Sequence, residues 1–422
     1  MTIRSCGSCL ALVALLVGPV ASAQETAGGF AGFLTGGRMD IKLRTYYMDR
    51  TYEPTFAAPR EEQQALAVGG WFDWETGRWH GIGFGVSLYT SQKLYGPEDK
   101  GGTNLLAPGQ QGFSVLGQAW MEAKAGKTTV RLFRQKIDTP FLNFRDTKMA
   151  PFTFEAYTVE NRDVPGLLAM VSYVTKIKTW TSTQFVTLGE NAGFETASPL
   201  TLAGLDWKSP GKAVRLQAWN YYDAGQWNTF YAQADGTLPL GKGFSTTLSG
   251  QWIDQRGREG GAYGPFSTWM GGAMATFDWR GCEAGFAFTD TSDGYMIVNP
   301  WAGYPGFTSI MEEDNNLAAE RAWLLTATVD LGIVGVPGLR VHWDRTRSHI
   351  VNPPLGMSHK DQYENDVTVD YYFRGPLEGL AIRARAAWVE SALSQYSLSG
   401  RDYTDYRMIL NYALPLTPLL RR

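Results

Sequence analysis

Ile82-Gly83-Phe84-Gly85-Val86-Ser87-Leu88 alternates large apolar side chains with glycine and serine. A period of two belongs to a β-strand and not to a helix. Ile82, Phe84, Val86 and Leu88 share one face, while Gly81, Gly83, Gly85 and Ser87 share the other. A soluble sheet turns its apolar face to a core and its polar face to water. A barrel in a membrane reverses this, apolar outward and small or polar inward. One strand fits either arrangement; the number and spacing of strands separate them.

The same alternation recurs along the chain. Ile382, Ala384, Ala386 and Trp388 alternate with Arg383 and Arg385, and Met408, Leu410, Tyr412 and Leu414 alternate with Arg407, Ile409 and Asn411. Runs bounded by turn residues predict eighteen strands: 38–48, 64–74, 79–89, 113–124, 128–135, 153–160, 167–175, 199–208, 213–222, 227–237, 243–254, 266–277, 282–289, 322–331, 339–346, 363–373, 380–389 and 404–414. Their connections are short and long by turns. Glu75–Arg78, Ala125–Lys127 and Asp278–Gly281 are short, while Thr90–Gly112, Lys136–Phe152 and Asp290–Arg321 are long. That rhythm over an even strand number predicts an all-β, transmembrane antiparallel β-barrel with periplasmic turns and long extracellular loops. Rings at strand ends (Trp74, Trp79, Phe277, Trp279, Tyr371, Tyr372 and Phe373) suit interfacial girdles.

Composition agrees. The chain of 422 residues carries 15 Trp, 20 Tyr, 21 Phe and 48 Gly, with a net charge of −3 and only 19% charged residues. Near charge balance argues against a nucleic-acid partner. Met1 to Ala23 reads as a signal peptide, with Arg4, an apolar run from Leu10 to Val17, and Ala21-Ser22-Ala23 before Gln24. Residues 24–422 then form one outer-membrane barrel domain. Cys6 and Cys9 leave with the leader, so Cys282 stands alone and no intramolecular disulfide is available.

Few catalytic chemistries fit. Gly126-Lys127-Thr128 lacks the first glycine of a phosphate loop and is followed by a strand. His80, His342, His349 and His359 lack metal-ligand spacing. No metal, cofactor or catalytic residue is expected, although His342 and Asp344 on one face leave a barrel hydrolase as an alternative. The positive signal is a set of inward bases. Parity turns Lys42 and Arg44 inward on the first strand, Arg383 and Arg385 on the seventeenth and Arg407 on the eighteenth. Closure of the barrel brings these onto one wall, with ~7 Å between successive inward side chains. Arg131 could extend the patch. Such a ladder attracts carboxylates; Asp40 and Asp405, on the same faces, could instead neutralise it. The third loop, bounded by Pro140 and Pro151, has Phe141, Leu142 and Phe144 to pack on a wall. Asn143, Arg145, Asp146 and Lys148 would then line a constriction.

On these residues the sequence resembles the OprD-type outer-membrane porins, over essentially all of 24–422. The most specific stretches are Arg134 to Asn143, Asp146 to Pro151, Arg162-Asp163-Val164-Pro165-Gly166-Leu167 and Tyr173 to Lys178, with Lys42 to Tyr47 and Arg407 to Tyr412 at the two ends. The resemblance implies a substrate-selective channel with an inward third loop, a basic ladder matched by Arg44, Arg383, Arg385 and Arg407, and an acidic pocket for which Glu312, Glu313 and Asp314 are candidates. It also implies small carboxylate-bearing solutes (amino acids, peptides, aromatic or other organic acids), with sugars as the alternative. Outer-membrane lipids and the barrel-assembly machinery are the expected partners, and the expected state is a monomer or loose trimer. Two departures stand out. Lys148 lies where the family commonly has Arg, which weakens bidentate grip. The chain ends Leu414-Pro-Leu-Thr-Pro-Leu-Leu-Arg-Arg422, not on an aromatic, which puts the assembly signal in question.

Overall fold

The computed structural model describes residues 29–416 except 56, 57, 196, 302, 352–360 and 392–400. The expected leader, Met1 to Ala23, and the end of the chain from Thr417 lie outside the described residues. Nineteen strands form one antiparallel sheet, β1 Arg38–Tyr52, β2 Glu61–Glu75, β3 Ile82–Tyr95, β4 Phe113–Ala125, β5 Thr128–Gln135, β6 Thr153–Asn161, β7 Leu167–Lys178, β8 Val186–Thr187, β9 Leu200–Lys208, β10 Val214–Asp223, β11 Trp227–Gly241, β12 Phe244–Gly257, β13 Ser267–Trp279, β14 Cys282–Thr291, β15 Glu320–Asp330, β16 Leu339–Ile350, β17 Gln362–Tyr372, β18 Leu380–Glu390 and β19 Tyr403–Pro415. Each strand pairs with the next around the barrel, β7 pairs directly with β9, and β1 pairs with both β2 and β19. The sheet therefore closes with eighteen strands, and the two-residue β8 sits on the β7 edge as an extra.

Two details differ from the sequence reading. The β3 run begins at Ile82 and not at 79, because His80 and Gly81 turn the chain with positive φ. Several strands also extend further toward the long-loop end, β1 to Tyr52 and β16 to Ile350. There the apolar alternation gives way to charge, as in Asp49-Arg50, while backbone pairing continues.

The alternation resolves as a membrane barrel requires. Ile82, Phe84 and Leu88 are exposed on the outer wall, while Gly83, Gly85, Ser87 and Tyr89 are buried inside. Gly85 is small for a reason: a Cβ there would lie 2.2 Å from a ring carbon of the inward Trp120. Outer-wall rings gather toward both ends, Phe244 stacked on Trp279 at 5.5 Å near the short turns and Trp252 on Trp269 at 5.0 Å toward the long loops. Tyr371 stays outside against Phe373, 4.8 Å between centroids. Tyr372 instead lines a cavity with Arg383. No described helix is long and apolar enough to cross a membrane.

The apolar core lies inside the lumen, on one side. Ile137, Phe141 and Leu142 of the third loop, Leu188 of the fourth, and Ile297, Val298 and Trp301 of the seventh pack against inward residues of β6 to β13 such as Phe154, Leu202, Trp219 and Tyr221. Two smaller apolar clusters, Tyr46, Met48, Leu105 and Met149 in one and Trp71, Tyr89 and Ala150 in the other, lie on the opposite wall among more polar side chains.

Candidate functional site

The third loop (136–152) leaves β5 and crosses the lumen. Its first half is anchored on the apolar side. Phe141 packs edge-on against Tyr221, Tyr231 and Tyr304 with centroids 5.6, 6.2 and 6.2 Å away, and its N–H donates to Tyr221 Oη at 3.2 Å. Each such ring pair stabilises by ~0.5–1.5 kcal/mol beyond simple burial. Gly303 of the seventh loop (292–319) admits the crossing, since a Cβ there would lie 2.6 Å from the Pro140 carbonyl oxygen. The second half is anchored on the opposite wall. Met149 is buried with Tyr46, Met48 and Leu105, Ala150 with Trp71 and Tyr89, and Trp71 Nε1 donates to the Met149 carbonyl at 3.0 Å. Between the two anchors run residues 143–148, mostly half-buried, with Lys148 buried.

The basic wall meets this span. Lys42 Nζ donates to Asp146 at 2.9 Å, Arg44 donates to the same carboxylate at 2.6 and 3.2 Å, and Arg44 also reaches the Lys148 carbonyl. The Trp71 ring lies beneath Lys42 at 4.1 Å and Lys136 at 4.6 Å. Lys42 and Arg44 therefore act first as struts for the loop. Arg407 pairs with Asp405 at 2.7 Å and with Glu312 of the seventh loop. Arg50, which sequence reasoning missed, pairs with the same two acids, with Asp405 at 2.8 Å. Its signal was available: Lys42, Arg44, Tyr46, Met48 and Arg50 share one parity. Arg383 is held by Asp370 at 2.6 and 3.0 Å, whereas Arg385 donates only to Thr368 Oγ1 at 3.1 Å. Asp40 pairs with Arg38.

Arg131 is not brought to this group. It shares Glu122 with Arg78 and lines a separate cavity of about 470 Å³. Nor do the three acids of the seventh loop converge. Glu312 enters the arginine wall, Glu313 accepts from Tyr403 Oη at 2.9 Å, and Asp314 accepts from Ser309 Oγ at 2.7 Å and Asn299 Nδ2 at 2.9 Å inside its own loop. Burial raises the Glu313 carboxyl above its ordinary range, with the Tyr403 hydrogen bond opposing.

What pins the seventh loop is an acidic stripe on β17. Glu364 accepts from the Glu312 and Glu313 N–H groups at 2.8 Å each, and Asp366 from Met311 N–H at 3.1 Å. The stripe is legible as Gln362, Glu364, Asp366, Thr368 and Asp370 at every second residue, and it was overlooked. Lys42 and Arg44 of β1 thus hold the third loop, while acids of β17 together with Arg50 and Arg407 hold the seventh.

The loops enclose a cavity of about 460 Å³ lined by Asn143, Arg145, Thr147, Lys148, Trp180, Tyr304, Ser309, Glu312, Asp314 and the arginines 50, 385 and 407. Asn143 Oδ1 accepts from Arg145 N–H at 2.9 Å, and the Arg145 guanidinium lies 5.5 Å from the Trp180 ring. Lys148 Nζ has the Met48 sulfur at 3.2 Å. Burial pushes its ammonium down to about 7, with Arg407 adding to the fall and Glu312 opposing it. Among the described residues, Arg145, Lys148 and Arg385 have no carboxylate partner. Arg385 also lines a second cavity of about 240 Å³ with Arg340, His342, Asp370 and Arg383, and so stands at the joint between the two. In that second cavity His342 bridges Thr328 Oγ1 and Asp344, 2.7 Å on each side. Among the described residues no group of His, Cys, Asp and Glu is arranged to hold a metal.

This architecture has counterparts. The chain is 23% identical to the porin-like protein GalP of Pseudomonas putida over 403 residues, covering 91% of this chain and 93% of that one. Its fold superposes on Pseudomonas aeruginosa OccK9 (OpdG) with a TM-score of 0.82 at 21% identity, and on P. aeruginosa OpdK with vanillate with a TM-score of 0.81 at 16% identity. In both cases 91% of this chain and 100% of the other are covered. The profile described as outer membrane porin, OprD family, matches residues 31–416. With the eighteen-stranded closure, the inward third loop and this match across the chain, the protein belongs to the OprD family of outer membrane porins.

Proposed function

We propose that the chain is a passive channel for small carboxylate-bearing solutes, an anion path through a basic-lined constriction and not an enzyme. One observation carries the reading: Arg145, Lys148 and Arg385 face the constriction cavity with no carboxylate partner among the described residues. A guanidinium left without a partner in a narrow, partly desolvated passage strongly favours an incoming carboxylate, which it can grip bidentately. Arg385 at the joint of two cavities then hands the anion toward Arg383 without one deep well. The vanillate named for OpdK is a carboxylate of suitable size for a cavity of about 460 Å³. Residues 1–23 act as the export signal, cleaved before Gln24.

The test is uptake into proteoliposomes. An aromatic carboxylate should enter faster than an uncharged sugar of similar size, and Arg385→Ala should reduce that preference. Equal uptake of both solutes, with no effect of the substitution, would favour a sugar-selective or general pore.

A further inference from the structure

The outer wall of a membrane barrel should carry no charge at bilayer depth, where an arginine costs ~2–4 kcal/mol. On the outer wall of β14 to β17 charged residues nevertheless appear, in an ordered way. Backbone register sets three outward rows, each about 7 Å above the last. The first holds Phe286, Leu325, Arg345 and Asn365; the second Phe288, Trp323, Arg347 and Tyr363; the third Asp290, Arg321 and His349. Along β15 the outward residues pass from Leu325 and Trp323 to Arg321 toward the long loops, and on β16 Arg345 stands in register with Leu325. Eight of these residues (Phe286, Arg321, Trp323, Leu325, Arg345, Arg347, His349 and Tyr363) line a groove of about 870 Å³ on the outside of the barrel, with Phe286, Leu325 and Trp323 as its apolar floor.

The bases outnumber the local acids. Asp361 is taken by Arg347 at 2.7 Å and His349 at 2.8 Å, and Asp290 by Arg321 at 3.2 Å. Arg345 has no acidic partner among the described residues and lies beside the Tyr363 ring, 5.9 Å from its centroid. An arginine facing lipid without a counter-charge needs one from the membrane. The long-loop end of such a barrel faces the outer leaflet.

We propose that this groove docks an anionic, phosphate-bearing glycolipid of the outer leaflet. Arg345 and Arg321 grip a headgroup phosphate, and an acyl chain lies on Phe286, Leu325 and Trp323. Bases clustered beside an apolar floor on a lipid-facing wall are a pattern by which membrane proteins hold anionic lipids, and the guanidinium fork matches phosphate geometry.

The experiment uses the full-length protein in detergent, with lipid binding followed by native mass spectrometry. The probes are bis-phosphorylated lipid A, its dephosphorylated form and inorganic phosphate. Wild type should retain one bis-phosphorylated lipid A. Arg345→Ala should weaken that binding by about tenfold, in keeping with the loss of one charged hydrogen bond, and Arg321→Ala/Arg345→Ala should weaken it further. Arg345→Lys should fall between, keeping charge without the fork. The dephosphorylated lipid should bind weakly, and millimolar phosphate should not displace the intact one. Heat-modifiable migration confirms that each variant is a closed barrel. Equal binding by the variants or by dephosphorylated lipid overturns the proposal. Full displacement by inorganic phosphate does too, as it would reduce the groove to an anion site. Cross-linking from position 345 to a second copy would replace lipid with a subunit interface.

Discussion

Two halves of one lumen are built on opposite principles. Against β6 to β13 the third, fourth and seventh loops bury Phe141, Leu142, Leu188, Val298 and Trp301, and the wall is dry. Against β1 and β19 the third and seventh loops are tied by ions: Asp146 to Lys42 and Arg44, Glu312 to Arg50 and Arg407. The dry side fixes where the third loop starts, by non-directional burial that tolerates no water. The other wall fixes where it ends, by burial of Met149 and Ala150 together with directional charge pairs that still leave some cations free. A constriction needs both, because a loop tied only by surface charge would wander, and one tied only by apolar contact would leave nothing to select with.

The largest break in this comparison comes from removing what joins the halves. Deletion of Asn143 to Lys148 should raise single-channel conductance several-fold and relax solute preference, with the barrel still heat-modifiable on gels. An eighteen-stranded barrel without its eyelet is a wide aqueous tube. Unchanged conductance would mean that residues 143–148 do not set the aperture.

Next comes the dry anchor alone. Phe141→Ala removes a ring that packs against three tyrosines, and large-to-small changes of this kind cost ~3–5 kcal/mol. The loop should become susceptible to limited proteolysis, and the open channel should become noisy, while the barrel survives. The ion-paired anchor should give a smaller effect of the same kind. Arg44→Ala leaves Asp146 with Lys42 and strips a donor from the Lys148 carbonyl, a loss of ~1–3 kcal/mol. If Arg44→Ala loosened the loop more than Phe141→Ala, the order of the two anchors would be reversed.

How much of this was legible in the sequence follows the same division. Period two is local, so the eighteen barrel strands and their parity could be read directly, and Lys42, Arg44, Arg383, Arg385 and Arg407 do face inward. Strand tops were cut short where polar pairs replaced apolar alternation, and β8, two residues long, has no period to read. Partners were not legible. Asp146 lies 102 residues from Arg44, and Glu312 lies 95 from Arg407, and only the paths of two loops bring them together. Glu312, Glu313 and Asp314 look like one acidic pocket in the sequence, yet consecutive residues on an irregular loop point three ways. The β17 stripe and Arg50 were there to be found by parity alone.

The smallest expected effect is a pH dependence at Lys148, whose ammonium is pushed down to about 7 by burial. Below that value the side chain carries a charge, and above it the charge is lost. Anion selectivity should therefore strengthen as pH falls from 8 to 6, since a cation is added to the constriction over that range. Lys148→Arg should hold the selectivity constant over the same range, because a guanidinium stays protonated. A flat profile in the wild type would place the charge of Lys148 outside the solute path.

The direct test of the account is the zero-current potential of single channels across a tenfold salt gradient, compared between wild type, Arg383→Ala and Arg145→Ala/Arg385→Ala. Arg383 is already neutralised by Asp370, so its loss should move the potential little. Arg145 and Arg385 are the two constriction arginines without a carboxylate partner among the described residues, and removing both should move it strongly toward cation selectivity with the barrel intact. If the double variant keeps the wild-type potential, or Arg383→Ala shifts it as far, unpaired charge at the eyelet is not what selects the solute.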